Sequence, residues 1–175
     1  VLFFLASAQL IEGNIDQAAV QAGRFFSLLP ESIRGRKLLA TIRLQEGENQ
    51  EVQELVQPVL DANPDDVDAL NLMANALLRD GKTNEGITLL SKVAELQPNS
   101  PVAQVRLGAG LLVGGKQDDA VQHMETALEL NPEFQQADIL LVLNHLQKRD
   151  FDAAVEAAQS YRRRNLVSTT PLNLL

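Results

Sequence analysis

The chain has 175 residues, of which 45% are hydrophobic and 4% aromatic, with no cysteine and a formal net charge of −8. Such a length supports a substantial core and, as a prior, one domain; Ala, Leu, Gln and Glu far outnumber Val, Ile and Thr, which favours an all-α chain. The acidity opposes phosphate backbones and anionic lipid, so nucleic acid and membrane surfaces are not the expected partners, and the lack of cysteine excludes disulfides, thiolate metal sites and a cysteine nucleophile while leaving the compartment open.

The run from Val1 to Ile11 is apolar, but a bilayer span needs about 18 apolar residues and a signal peptide carries basic residues ahead of its apolar run. No direct membrane insertion is expected of it. The chain lacks an initiating Met and starts inside a hydrophobic pattern, so a piece of a longer protein is expected. Its organising feature is a period: Pro30, Pro64, Pro98 and Pro132 are 34 residues apart, and Gly13, Gly47, Gly81 and Gly115 keep the same step, each 17 residues before its proline. With the proline as position 32, residues 1–32 form a repeat without its first two positions, followed by 33–66, 67–100, 101–134 and 135–168.

Each repeat reads as two helices. The glycine at position 15 lies between two helix-sized apolar stretches, where positive φ lets one helix end and the chain turn. The proline follows the second stretch, stopping that helix and helping to start the next. In chain order, position 7 is Leu5, Leu39, Met73, Leu107 and Leu141, and position 8 is Ala6, Ala40, Ala74, Gly108 and Val142. Position 20 is Ala18, Val52, Gly86, Ala120 and Ala154, and positions 21, 24, 27 and 28 add apolar residues such as Ile87, Leu90 and Val93 on one helical face. The fifth repeat departs from the pattern, with Arg149 and Leu166 in the glycine and proline slots. Thr169 and Thr170 read as a helix cap before Pro171, Leu172 and Leu175, which fall on positions 3, 4 and 7 of a sixth repeat. A free-standing solenoid covers its end faces with polar helices. Val1, Leu2, Phe3 and Phe4 at one end and Leu174 and Leu175 at the other are apolar, so further repeats or a second copy are expected there.

A 34-residue helix-turn-helix with small residues at positions 8 and 20 and proline at 32 resembles the tetratricopeptide repeat, over essentially the whole chain. The resemblance implies an all-α, right-handed solenoid of about five antiparallel helix pairs, one domain over residues 1–175. No repeat has Trp at position 4 or Tyr at 11, and position 24 is never aromatic, which marks a divergent member. The Asn63-Pro64 and Asn131-Pro132 turns and the Gly-Lys-(Thr/Gln) style also resemble the multi-repeat envelope lipoproteins of bacterial exopolysaccharide and PEP-CTERM sorting systems. That likeness implies a periplasmic scaffold in polysaccharide assembly; the cytoplasm is the alternative.

Several motifs compete with the repeat. Gly110 to Lys116 matches a phosphate-binding G-x-x-x-x-G-K, and Gly81-Lys82-Thr83 matches its end, but the first has Gln117 for the Mg²⁺-binding hydroxyl, the second has Ala76 for the first Gly, and both follow a helix instead of a strand. His123 and His145 are the only histidines, one on the second helix of a repeat and one on the first helix of the next, with no second histidine at i±4, so no metal is expected. Asp65, Asp66, Asp68, Asp118, Asp119, Asp150 and Asp152 lie near helix starts, where carboxylates favour the positive dipole end, and Arg162–Arg164 closes the last helix at the negative end. No constellation for catalysis and no cofactor site emerges.

In tetratricopeptide proteins the first helix of each pair lines a concave groove, and the resemblance implies that positions 2, 5, 6, 9, 12 and 13 face it. The candidate partner-binding residues are then Arg34, Lys37, Thr41, Asn71, Asn75, Arg79, Val102, Val105, Arg106, Ile139 and Leu143. Asn71 and Asn75 suit a peptide main chain, since an amide both donates and accepts. Lys37 and Arg106 are placed to hold a carboxylate. The apolar end, from Val102 to Leu146, suits an amphipathic helix. Solvated amides, leucines packed internally, or a distant part of the same protein are the plain alternatives. The clamp slots of chaperone-binding members hold Lys37, Thr41, Leu72, Val102 and Arg106 here, two matches of five, which argues against a chaperone-tail adaptor. The expected function is a non-catalytic scaffold for a protein or peptide ligand. Self-association through exposed terminal repeats is the rival, and the scattered aromatics offer no platform for sugars.

Overall fold

A computed structural model describes the backbone of residues 1–168 and side chains as far as Arg164. The cap at Thr169–Thr170 and the start of a sixth repeat at Pro171, Leu172 and Leu175 lie outside the described residues, as does the side chain of Leu166. Among the described residues the chain forms ten α-helices and no strand. These are α1 (Leu2–Ile11), α2 (Ile15–Leu28), α3 (Ile33–Glu46), α4 (Asn49–Ala62), α5 (Val67–Arg79), α6 (Thr83–Leu96), α7 (Pro101–Val113), α8 (Gln117–Leu130), α9 (Gln135–Gln147) and α10 (Phe151–Ser168). Successive helices pair as hairpins, one per repeat, and odd-numbered helices are called A and even-numbered B below. The hairpins gather into two compact units, α1–α6 ending at Leu96 and α7–α10 beginning at Gln97.

The glycine comb is a backbone requirement. Gly13, Gly47, Gly81 and Gly115 have φ of 80, 85, 77 and 72°, a region a side chain makes strained. At each turn the glycine N–H and the next residue's N–H return to carbonyls of the A helix: Gly47 N donates to Leu44 O at 3.3 Å and Glu48 N to Arg43 O at 2.9 Å, closing otherwise orphaned acceptors. Arg149 makes the same turn at φ 57°, keeping the bonds from Arg149 N to Leu146 O and from Asp150 N to His145 O at the expense of its strained backbone.

Each proline works one residue upstream. Helices α2, α4, α6 and α8 stop at Leu28, Ala62, Leu96 and Leu130, two residues before Pro30, Pro64, Pro98 and Pro132. The ring of proline drives the preceding residue out of the helical region; Asn63 and Asn131 accordingly sit at φ −143 and −147°. The chain then restarts on a third periodic residue, at position 34, not legible from the glycine and proline combs. Ser32, Asp66 and Ser100 accept from the backbone N–H of Gly35, Ala69 and Ala103 at 3.2, 2.9 and 3.3 Å and so cap α3, α5 and α7. Phe134 breaks that series and gives α9 no side-chain cap.

Small residues at positions 8 and 20 let the two helices of a hairpin touch. Ala40, Ala74, Val52 and Ala120 are fully buried. A Cβ on Gly86 would lie 3.0 Å from the Ala74 carbonyl oxygen and 2.8 Å from Leu78 Cγ, so Leu78, at position 12, packs on its own B helix. A Cβ on Gly108 would likewise lie 3.2 Å from the Ala120 carbonyl oxygen. The core of the first unit closes on Ile42, Val52, Val56 and Val59, each 1% exposed or less. Asn144 in α9 puts a polar side chain in the core: it is fully buried, and neither its amide nitrogen nor its oxygen has a partner among the described residues. The equivalent position holds Ala8, Ile42, Ala76 and Gly110.

Candidate partner-binding face

In the first unit the A-helix side chains singled out in the sequence are mostly engaged with the protein itself. Arg34 is exposed at the start of α3. Lys37 Nζ lies 3.1 Å from Asp66 Oδ2 and 2.9 Å from Asp68 Oδ2, with 23% of its side chain exposed. Burial works against its charge, yet hydrogen bonds and attraction from Asp68 and Asp66 outweigh that and hold its pKa above the ordinary 10.5. Its charge is already matched, and Asp66 also caps α5, so an incoming carboxylate would have to displace two resident ones. Thr41 Oγ1 donates to the Lys37 carbonyl at 2.8 Å. Asn71 and Asn75 donate to carbonyls one turn back, Val67 O and Asn71 O, both at 2.8 Å. Asn71 is only 6% exposed and its Oδ1 has no partner among the described residues, while Asn75 is exposed. Arg79 donates from Nη1 to the Leu44 carbonyl at the end of α3, where a cation suits the negative helix end.

The second unit differs. Val105 is 1% exposed and belongs to the packing. Around it the surface is apolar: Val102 is 40% exposed on α7, and Ile139, Leu143 and Leu146 are 48, 47 and 46% exposed on α9, which packs directly against α7. Ile139, Leu143 and Leu146 are spaced at i, i+4 and i+7, one stripe of a helix. Arg106 is exposed one turn beyond Val102 and has no ion-pair partner among the described residues. The structure therefore divides the sequence-derived set into a polar group on α3 and α5 that is mostly engaged internally, the buried Val105, and an open apolar group with one arginine on α7 and α9.

His123, on α8, is partly buried and its Nδ1 is 2.8 Å from Gln104 Oε1. Gln104 Nε2 donates to the Pro98 carbonyl at 3.3 Å, which turns Oε1 toward the ring and makes Nδ1 the donor. Burial lowers the His123 pKa. His145 is half-buried. No group of three or more His, Cys, Asp or Glu lies close enough to hold a metal ion among the described residues, and none of the described helices is long and apolar enough to cross a membrane. Gly81 and Gly115 occupy turns after α5 and α7, so neither phosphate-loop likeness has the strand it needs. The arginine run does not close its helix, because α10 continues to Ser168. Arg164 instead pairs with Asp138, a carboxylate 2% exposed on α9. That pair was invisible in the sequence because position 4 gives no hint that an acid will be buried there.

Tetratricopeptide-repeat family models match residues 43–111 and 105–166. No curated protein matches the chain. Among solved structures, MamA from Desulfovibrio magneticus RS-1 superposes with a TM-score of 0.78 at 16% identity, covering 97% of this chain and 96% of that one. TTC0263, a tetratricopeptide protein of Thermus thermophilus, gives 0.79 at 16% identity over 93% and 89%. PilF of Pseudomonas aeruginosa gives 0.76 at 20% identity over 93% and 74%. At these identities the likeness is one of fold, and that fold is generally a protein–protein interaction module. The in-phase glycines, prolines and small residues, the helical hairpins they build and the family matches converge: the chain belongs to the tetratricopeptide-repeat family.

Proposed function

We propose that this protein is a non-catalytic scaffold and that the α7–α9 face receives an amphipathic segment of a partner protein. The observation that carries the reading is the exposed apolar stripe of Val102, Ile139, Leu143 and Leu146, with the exposed Arg106, which has no ion-pair partner among the described residues, one turn from Val102. Single exposed hydrophobics are ordinary, whereas a contiguous set rimmed by a charge marks interaction sites. A ligand helix with apolar residues at i, i+3 or i+4, and i+7 matches the stripe, and an acidic residue on it matches Arg106. Lys37, Asn71 and Arg79 support a lesser role for α3 and α5, since each already has an internal partner.

The test is a display selection of helical peptides on the folded protein, with the survivors measured against Leu143→Glu and Arg106→Glu. Binders are expected to share the apolar spacing and an acidic position, to lose at least tenfold in affinity for both variants, and to regain affinity for Arg106→Glu when their acid is changed to Lys. Binders indifferent to both substitutions would end the proposal. Self-association is the second reading, favoured by the first repeat, where Phe4 is 75% and Ile11 86% exposed and Leu5 is 41% exposed although its repeat equivalents are buried. Light scattering on wild type and on Phe4→Ser with Ile11→Ser tests it: an oligomer dissolved by the pair supports the reading, and a monomer at all concentrations removes it.

A further inference from the structure

We infer that the B-helix side of the first unit carries a separate docking groove, between α4 and α6, for a partner segment that places an aliphatic side chain next to an arginine or lysine. The groove encloses about 480 Å³. Its floor is apolar: Met73 and Leu77 from α5, with Leu60 and Leu89 leaning in from the two walls. None of the candidate partner-binding residues lines it, so it stands or falls independently of the α7–α9 face.

The walls choose the charge of the ligand. A second depression continues the groove and shares Gln53, Gln57 and Lys82 with it, adding Glu54 and Asp80. Across both, the carboxylates are Glu54, Asp80 and Glu85, against the single ammonium of Lys82. The glutamines strengthen the bias. Gln53 Nε2 donates to Asp80 Oδ2 at 2.6 Å and to the Asn49 carbonyl at 3.4 Å, and Gln57 Nε2 donates to Asp61 Oδ1 at 2.8 Å; a carboxylate only accepts, so the amide nitrogens face the acids, and what remains for a ligand is the two amide carbonyls with one N–H of Gln57. Thr88 spends its hydroxyl proton on the Asn84 carbonyl, 2.9 Å away. Pro58 lies inside α4 and has no N–H, so the Glu54 carbonyl lacks the donor that position would otherwise give it. An apolar trough walled by acceptors and negative charge is complementary to a donor-rich cation beside a hydrocarbon, and a guanidinium brings five donors on one plane.

The chain has two methionines, which supply the readout: Met73 is in the groove floor and Met124 is fully buried in α8. The experiment titrates the full chain, labelled with ¹³C at the methionine methyls, with a blocked peptide containing Leu-Arg-Leu and with two controls, Leu-Glu-Leu and Ser-Arg-Ser in the same frame. The expected result is a saturable shift of the Met73 methyl with Leu-Arg-Leu alone, with Met124 unmoved, weakened several-fold by 0.5 M salt through screening. Glu54→Gln with Glu85→Gln, both exposed positions, is expected to weaken the response at least threefold, while Leu143→Glu leaves it unchanged. No shift of Met73 at millimolar peptide, an equal shift with Leu-Glu-Leu, or a common movement of both methyls would each overturn the assignment.

Discussion

Replacing Asp66 removes two interactions that can be separated by the choice of substitute. Its carboxylate caps α5 by accepting from Ala69 N at 2.9 Å, and it holds Lys37 Nζ at 3.1 Å with 17% of its side chain exposed. Loss of a cap costs about 1 kcal/mol, and loss of a partly buried, hydrogen-bonded ion pair about 1 kcal/mol more. Asp66→Ala should therefore destabilise by about 2 kcal/mol, lowering the midpoint of thermal unfolding by roughly 4–8 °C for a chain of this size. Asp66→Asn keeps an acceptor for the cap and should lose about half as much, and Asp68→Ala, 76% exposed, should cost roughly 0.5 kcal/mol or less.

The acid limb adds an independent check on the same residue. Burial alone would raise the Asp66 pKa, but the Ala69 N–H and Lys37 favour the carboxylate and hold it below the ordinary 3.8. A depressed folded pKa means that its stabilisation is present above 3.8 and disappears as pH falls through the lower folded value. Lys37, raised above 10.5, contributes fully below 10.5 and loses its share as pH rises past its folded pKa. Thermal unfolding followed by circular dichroism across pH measures both. The wild-type advantage over Asp66→Asn should vanish in acid; equal stability of Asp66→Asn and wild type at pH 7, or of Asp66→Asn and Asp66→Ala, would refute the division into cap and ion pair.

Three further substitutions probe other links. Arg149→Gly relieves the left-handed backbone at φ 57° and should stabilise by about 1 kcal/mol in urea unfolding. Asn144→Ala removes a buried amide with no partner among the described residues and should stabilise by about 1 kcal/mol; a loss instead would mean that solvent satisfies that amide. Val105→Glu on α7 and Leu143→Glu on α9, both among the candidate partner-binding residues, should part company: the first introduces a charge at a site 1% exposed and unfolds its repeat, whereas the second, at 47% exposure, leaves the circular dichroism spectrum unchanged.

The fold was legible because it is written in residues whose backbone needs are nearly unique. Only glycine meets φ near +80° without strain, and proline cannot continue a helix, so their common period placed every turn before any contact was known. Side-chain ownership was less legible. Lys37 reads as a free cation until the cap of the following helix, Asp66, is seen to close on it, and Asn71 reads as a groove amide until it is found 6% exposed. Position numbers place a residue on a helix face but do not say which neighbour reaches it first. The α4–α6 groove was missed for a related reason: it joins side chains from two B helices and the A helix between them, a combination no single periodic position reveals.

The most direct measurement is the affinity of a selected helical peptide for two sets of variants, read by titration calorimetry. Ile139→Ser with Leu143→Ser should weaken binding at least tenfold, while Lys37→Ala with Asn75→Ala leaves it within a factor of two; the reverse pattern would place the partner on α3 and α5 and contradict the assignment to α7 and α9.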